Sequence, residues 1–264
     1  MRDQWITDEM SAIRRDFLPE DLDPEMKSNG IDGCIAVQAD QSEEETRFLL
    51  DLASRHREIL GVVGWVDLCS PKVNRNLEVY RGRKKLRGLR HVVQAEPDDG
   101  FMVTPAFRNG IGCLKDFGLT YDILVYPRQL PAAIELVAGF PDQPFVLDHI
   151  AKPPIRTGAS SSWAKDMNEI AKFENVYCKL SGLITEADWQ HWSASDFIPY
   201  LDVVFSAFGP NRLMFGSDWP VCLLAGAYAQ VVQLIGNYTE SLSDRQKAGI
   251  WGLNASHFYG LQEQ

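Results

Sequence analysis

The chain has 264 residues, of which 45% are hydrophobic and 23% charged, the proportions of an ordinary globular protein. Its formal net charge of −10 disfavours nucleic acid and anionic membrane surfaces as partners. No apolar run reaches the roughly 18 residues of a membrane span, so we expect no membrane segment. The length suits one large α/β domain, and we predict a single domain over residues 1–264.

The cysteines are far apart in the sequence and form no C-x-x-C pair: Cys34, Cys69, Cys113, Cys178 and Cys222. This spacing argues against a disulfide framework and against a structural zinc cluster. Residues 1–5 are charged and lack the hydrophobic core of a signal peptide. We therefore expect a protein of a reducing compartment, the cytoplasm.

Residues 1–30 are polar, with partial helical periodicity and a helix stop at Asn29-Gly30, and no buried strand is predicted there. Beyond them, short apolar runs alternate with amphipathic segments, a pattern that predicts strands alternating with helices. The predicted strands are residues 34–37, 59–66, 86–93, 119–126, 145–150, 176–180 and 213–221.

Helices are predicted in the gaps from their capping signals and apolar periodicity. Ser42 and Glu45 form a capping box, Ser70-Pro71 opens a second helix, and Thr104-Pro105 opens a third. Further helices are predicted at residues 130–138 and 163–173, after a cap at Ser195, at 228–235, and after the capping box that begins at Ser243.

The alternation of strands and helices predicts a parallel sheet with covered faces, either an open doubly wound sheet or a (β/α)8 barrel. No G-x-G-x-x-G follows the first strand, which disfavours a dinucleotide-binding sheet. Polar residues instead end many strands, and in a barrel these ends converge on one site: Gln38, Asp67, Arg90 or His91, Tyr126, His149, Lys179 and Asp218. We predict an α/β fold of the (β/α)8 TIM-barrel type, in which the first strand is missing from this chain.

Two strand ends stand out as candidates for chemistry. Asp218 follows a buried apolar run, where a carboxylate is costly unless it is paired, liganded or used, although it could simply cap the next turn. His149 ends the fifth strand next to Asp148, and the two-residue period of a strand sends these neighbours to opposite sides. We expect one to face the barrel interior and the other the helices.

The remaining candidates are cations at strand ends. Lys179 lies inside an apolar run, and its flexible stem could carry the ammonium to the mouth of a barrel or into a salt bridge. Arg90 and His91 are adjacent, so only one of them faces inward, and the sequence does not decide which.

The string F-G-S-D-W-P-V at residues 215–221, with L-D-H-I-A-K-P at 147–153, resembles the amidohydrolase-2 branch of the amidohydrolase superfamily. Within it, the chain is most similar to sugar lactonases of the L-fuconolactonase and L-rhamnonolactonase type. Further matches to this group lie at residues 88–91, 94, 96–98, 254–255 and 258–259. It implies a (β/α)8 barrel in which Asp218 is the general base and His149 a site residue. It also implies that the chain begins after the first strand, which carries an H-x-H pair in the family.

Hydrolysis of a lactone needs an activated water, a polarised carbonyl and recognition of hydroxyl groups. We expect Asp218 to take the proton from water, and His149, with Arg90 or His91, to stabilise the oxyanion. Binding of the sugar is expected from Lys179, Tyr126 and Trp219.

The cofactor expectation is conditional. One divalent metal, zinc, is expected only if the natural protein contains the H-x-H strand, and its ligands are unknown. Two alternatives stay open. One is a metal-dependent decarboxylase of aromatic acids on the same barrel, and the other is an inactive or ligand-binding relative that forms a homodimer through an exposed sheet edge.

Overall fold

The structure is a computed structural model that describes residues 5–158 and 161–261. Its centre is one sheet of parallel strands in which each strand pairs with the next along the chain. The strands are β1 Cys34–Val37, β2 Ile59–Gly64, β3 Leu86–His91, β4 Thr120–Ile123, β5 Phe145–Leu147, β6 Val176–Leu180 and β7 Leu213–Phe215. This sequential order is that of a barrel wall, whereas a doubly wound sheet reverses its order at a switch point.

All seven predicted strands are present, but five of them end earlier than predicted. The rest of each predicted run after β2, β3, β4, β5 and β7 lies in a loop at the carboxyl edge of the sheet. Those loops, rather than the strands, carry most of the candidate site.

A helix follows each strand, as predicted, but the helix expected to open at Ser70-Pro71 begins at Val73, and the helix expected over residues 163–173 covers Ser161–Ile170. They are α1 Pro19–Ser28, α2 Glu43–Arg55, α3 Val73–Glu78, α4 Pro105–Cys113, α5 Leu130–Ala138, α6 Ser161–Ile170, α7 Ala194–Phe208, α8 Tyr228–Tyr238, α9 Asp244–Ala248 and α10 Asn254–Phe258. Ser42 caps α2 by accepting from the Glu45 amide at 3.2 Å. The expected cap at Ser195 is wrong, because α7 begins two residues earlier, after Ser193. Within the described part of the chain, no helix is long and apolar enough to cross a membrane.

The sheet is curled, as shown by side chains from its two edge strands that meet on one face. Ile35 of β1 packs in the same interior cluster as Met214 of β7. Phe258 and Tyr259, at the end of α10, complete this cluster. The side-chain amide of Asn254 fastens α10 to the outer edge of β7 by donating to the Leu213 carbonyl at 2.6 Å. The opposite, convex face of the sheet packs against the helices and forms the larger core.

A buried charge network lies on the interior face, beneath the carboxyl ends of the strands. Lys179 Nζ lies 2.5 Å from Asp122 Oδ2 and 2.6 Å from Asp148 Oδ1, and Arg90 donates to Asp148 Oδ2 at 2.8 Å. Tyr259 donates its hydroxyl to Asp122 at 2.8 Å. Burial raises the pKa of Asp148, but Lys179 and Arg90 outweigh burial and hold that pKa well below its usual value. Asp148 is therefore ionised and paired with two cations, whereas burial outweighs Lys179 at Asp122 and raises the pKa of that carboxyl.

Gly110 allows α4 to pack closely against the chain that follows β2. A Cβ atom at this position would lie 2.2 Å from the Leu68 carbonyl oxygen, which belongs to the backbone and cannot move aside freely. We expect Gly110→Ala to lower the free energy of unfolding by about 1–3 kcal/mol, measured by urea denaturation. Gly236→Ala in α8 is the matched control, since its Cβ would meet nothing closer than 4.0 Å. The control should instead stabilise by about 0.5–1 kcal/mol. Equal effects of the two substitutions would contradict this packing.

Lys179 is the cation that Asp122 and Asp148 share. Its removal should leave Asp122 with the Tyr259 hydroxyl but no cation, next to Asp148, which keeps Arg90. We expect Lys179→Met to lower the free energy of unfolding at neutral pH by about 3–5 kcal/mol. Lys27→Met, which removes an exposed partner 2.6 Å from Asp23, should change it by at most about 1 kcal/mol.

The deficit of Lys179→Met should depend on pH in one direction. In the unchanged chain the pKa of Asp148 is lowered, so its stabilising contribution is present above the ordinary value of 3.8 and is lost as the pH falls below it. Without Lys179 the carboxylate pKa rises, and protonation relieves the repulsion as the pH falls. The difference in unfolding free energy should shrink from about pH 7 to about pH 4, and a constant difference would contradict the network.

Candidate active site

The segment after β5 has an unusual backbone. Four consecutive residues other than glycine, His149, Ile150, Ala151 and Lys152, have φ between 46° and 55°, in the left-handed region. For a β-branched residue such as Ile150 this conformation is a genuine outlier. Ile150 and Ala151 are fully buried, and Trp163 donates its indole N–H to the Ile150 carbonyl at 2.9 Å. The surrounding core therefore holds a strained turn in place, a feature that concentrates at functional sites.

This left-handed turn overturns the expectation that one of Asp148 and His149 faces the helices. The strand ends at Leu147, so the two-residue alternation does not extend to the pair. Asp148 points into the interior network, while His149 turns toward the loops after β6 and β7. Both side chains lie on the site's side of the sheet.

His149 and Asp218 form the centre of the candidate site. His149 Nε2 lies 3.7 Å from Asp218 Oδ1, and His149 Nδ1 lies 2.8 Å from Ser181 Oγ. The first distance is too long for a hydrogen bond, so the carboxylate is free to accept a proton from a third group such as water. Both side chains are largely buried, with 12% and 15% of their surface exposed.

The imidazole of His149 is held neutral. Burial lowers its pKa below the ordinary 6.5 and outweighs the carboxylates of Asp218 and Asp148, which act in the opposite direction. The 2.8 Å contact with Ser181 Oγ is compatible with Nδ1 as the acceptor, and in that tautomer a neutral imidazole carries its proton on Nε2, facing Asp218. With this tautomer the site presents an N–H donor and a carboxylate acceptor side by side.

Two glycines make room for this arrangement. Gly182 has φ +63°, and a Cβ there would lie 2.7 Å from the Cβ of His149. A Cβ at Gly216 would lie 2.9 Å from the Cβ of Ser181. Asp218 itself has φ +54°, a region that aspartate tolerates better than most residues. The loops after β6 and β7 can therefore approach the left-handed turn closely.

Tyr126 and Trp219 lie at the same end of the sheet as Asp218. Tyr126 is half-buried after β4, with the ammonium of Lys152 5.5 Å from the centre of its ring. Trp219, also half-buried, meets the ring of Phe17 edge-on with 5.2 Å between ring centres. Aromatic side chains from two loops thus stand at the carboxyl edge of the sheet, as the sequence predicts.

Arg90 faces inward and His91 outward, which answers the question that the sequence left open. Arg90 belongs to the buried network with Lys179, and both are 11% exposed at the side chain. His91 Nε2 lies 2.7 Å from Glu96 Oε1, and Trp65 donates its indole N–H to Nδ1 at 3.3 Å. Among the described residues, Arg90, Lys179 and His91 make no direct side-chain contact with Asp218. Their binding of substrate stays a prediction.

Three residues at this end of the sheet were not predicted from the sequence as site residues. Ser181 orients His149, and Lys152 Nζ lies 3.1 Å from Glu186 Oε1. The only sequence signal for Ser181 was its position directly after β6, equivalent to a polar strand end. The position of Lys152 depends on the left-handed turn, which the sequence pattern does not reveal.

The described residues do not fit a zinc ion. Across residues 5–158 and 161–261, no group of three or more His, Cys, Asp or Glu side chains is arranged to hold a metal. His149 and Asp218 alone supply two ligands, whereas zinc in enzymes is held by three protein ligands. The zinc expectation depends on an H-x-H pair that the 264 residues do not contain, and it stays a prediction.

Known proteins resemble this chain along almost its whole length. A family model described as amidohydrolase matches residues 5–261. The chain is 41% identical over 270 residues to the L-fucono-1,5-lactonase of Burkholderia multivorans, covering 98% of this chain and 91% of that protein. It is 39% identical over 262 residues to the L-fucono-1,5-lactonase of Burkholderia ambifaria, covering 97% and 90%.

A solved structure has the same fold. It is the crystal structure of an amidohydrolase from Burkholderia multivorans with bound zinc, at a TM-score of 0.93 and 41% identity, covering 98% of this chain and 93% of that one. The predicted α/β barrel architecture is thereby confirmed, and so is the resemblance carried by the F-G-S-D-W-P string. This chain belongs to the amidohydrolase family.

Proposed function

We propose that the chain hydrolyses a sugar-acid lactone of the L-fucono-1,5-lactone type, with Asp218 as the general base. The observation that carries the proposal is the pairing, at one end of the sheet, of the Asp218 carboxylate with a neutral His149 at 3.7 Å. The activity named for the Burkholderia relatives supports the choice of substrate class.

The reaction follows from these two groups. Asp218 accepts a proton from water as the water oxygen bonds to the lactone carbonyl carbon. The carbonyl oxygen becomes an oxyanion and accepts a hydrogen bond from His149 Nε2–H. When the tetrahedral intermediate collapses, the bond from the carbonyl carbon to the ring oxygen breaks. The proton held by Asp218 passes to that ring oxygen, and the product is the open hydroxy acid.

The surrounding side chains take supporting roles in this proposal. Trp219 and Tyr126 offer aromatic faces on which the apolar side of a sugar ring stacks. Ser181 fixes the ring plane of His149. Arg90 and Lys179 act from beneath by fixing Asp148, the residue directly before His149. The sequence also predicts that Arg90, His91 or Lys179 contacts the substrate directly, and we include this contact in the proposal.

We also propose that the protein works in the cytoplasm. The five cysteines carry free thiols, three of them buried. The acidic net charge of −10 fits small-molecule chemistry without a nucleic-acid or membrane partner.

Asp218→Asn tests the general base. Asparagine has the same shape and tolerates a left-handed backbone, so the fold should persist, while proton transfer from water is lost. We expect kcat/KM for L-fucono-1,5-lactone to fall by about 10²–10⁴-fold, measured by the acid released, with little change in unfolding free energy.

The matched control is Asp51→Asn on α2, which removes an exposed carboxylate 2.5 Å from Arg55. The control should keep the unchanged chain's turnover. Retained turnover in Asp218→Asn would refute Asp218 as the base. Failure of the unchanged chain to hydrolyse any lactone would refute the function and favour the inactive relative.

A further inference from the structure

Lys152 and Glu186 form a shielded ion pair outside the buried network of Lys179, Arg90, Asp122 and Asp148. Their side chains are only 18% and 20% exposed, with 3.1 Å between Nζ and Oε1. By comparison, the helix pair Lys172 and Glu169 is 65% and 46% exposed at 2.6 Å. The two members of the shielded pair come from the loops after β5 and β6, at the same end of the sheet as Asp218. The pair therefore borders the candidate site.

The backbone fixes Lys152 relative to His149. Lys152 is the last residue of the left-handed turn, with φ 48° and ψ 61°, and its amide donates to the His149 carbonyl at 2.8 Å. A lysine needs no such strained backbone to form an ordinary surface salt bridge. The turn thus fixes the backbone of Lys152 three residues after the proposed oxyanion donor, and Glu186 locates its ammonium.

The pair retains unused hydrogen-bonding capacity. An ammonium has three N–H donors and a carboxylate has two acceptor oxygens. Among residues 5–158 and 161–261, the contact with Glu186 Oε1 is the one polar contact within 4 Å that the Lys152 ammonium makes with a carboxylate. The ring of Tyr126 lies on another side of the ammonium, at 5.5 Å. Donors, acceptors and an aromatic wall are combined here at the edge of the site.

We infer that Lys152 and Glu186 bind neighbouring hydroxyl groups of the lactone, with Tyr126 as the wall of this subsite. One hydroxyl oxygen accepts from the Lys152 ammonium, and the adjacent hydroxyl donates to the Glu186 carboxylate. The inference rests on the proposed function, because it names what that site recognises beyond the reacting ester. The pair selects polyhydroxylated lactones over lactones with bare rings.

The test compares two six-membered lactones, L-fucono-1,5-lactone and δ-valerolactone, which has no hydroxyl groups. For Lys152→Met and Glu186→Gln, kcat/KM for the hydroxylated lactone should fall about 10–100-fold more than kcat/KM for δ-valerolactone, the size expected for a lost hydrogen bond to a charged group. Glu186→Gln keeps the shape of the side chain, so it covers the case in which Lys152→Met disturbs the turn.

Lys172→Met is the control, and it should leave the ratio of the two kcat/KM values unchanged because its ion pair is exposed on α6 and in the segment after it. Equal loss on both lactones in the two subsite variants would overturn the inference while leaving the proposed function intact. If the unchanged chain hydrolyses neither lactone, the proposed function fails and the inference fails with it. A loss confined to the hydroxylated lactone would support both.

Discussion

The left-handed turn after β5 is the constraint on which the candidate site depends. Residues 149–152 adopt a backbone that residues with a Cβ avoid, and the buried side chains of Ile150 and Ala151 hold them there. Because of this turn, the segment of residues 148–152 contributes side chains to three different groups of contacts. Asp148 reaches the interior charges, His149 reaches Asp218, and Lys152 reaches Glu186. An ordinary extended strand would have sent one of the first two into the helix layer.

The buried network beneath the turn gives it a rigid base. Removing charged groups from water is expensive, and such groups persist only when each has partners. Here two carboxylates share the cations of Lys179 and Arg90, and the C-terminal segment adds the hydroxyl of Tyr259. The network joins residues of β3, β4 and β6 to the ends of β5 and α10. It therefore connects strands that are not neighbours in the sheet and fixes the residue that precedes His149.

Much of the fold follows from local sequence signals. Apolar runs and helix caps are local properties, so they predicted the strands and most of the helices. The polar residues after the strands predicted that Asp218, His149 and Tyr126 lie at one end of the sheet, and their roles stay predictions. The early ends of β4 and β5 were not predictable, because apolar residues fill the buried loops as readily as the strands. Whether Arg90 faces the barrel interior or the helix layer was not predictable either. It depends on Asp148, 58 residues away along the chain, whose own direction depends on the turn.

The contacts of the site were the least accessible to sequence reasoning. Ser181 reads as an ordinary loop residue until the folded chain brings it within 2.8 Å of His149. Gly182 and Gly216 matter because of what a Cβ would strike, and those neighbours come from other loops. Sequence patterns report which residues are buried and where elements begin, whereas the partners of a strained turn are decided by tertiary packing.

Whether His149 and Asp218 act as one unit is tested most directly by a double-variant cycle of kcat/KM on L-fucono-1,5-lactone. His149→Asn and Asp218→Asn both retain a residue that tolerates a left-handed backbone, so each removes chemistry with little change in shape. If the donor and the base serve the same transition state, the double variant should be no worse than the more impaired single variant, within about twofold. Losses that multiply in the double variant would show that the two residues contribute independently, and that result would contradict their action as one unit.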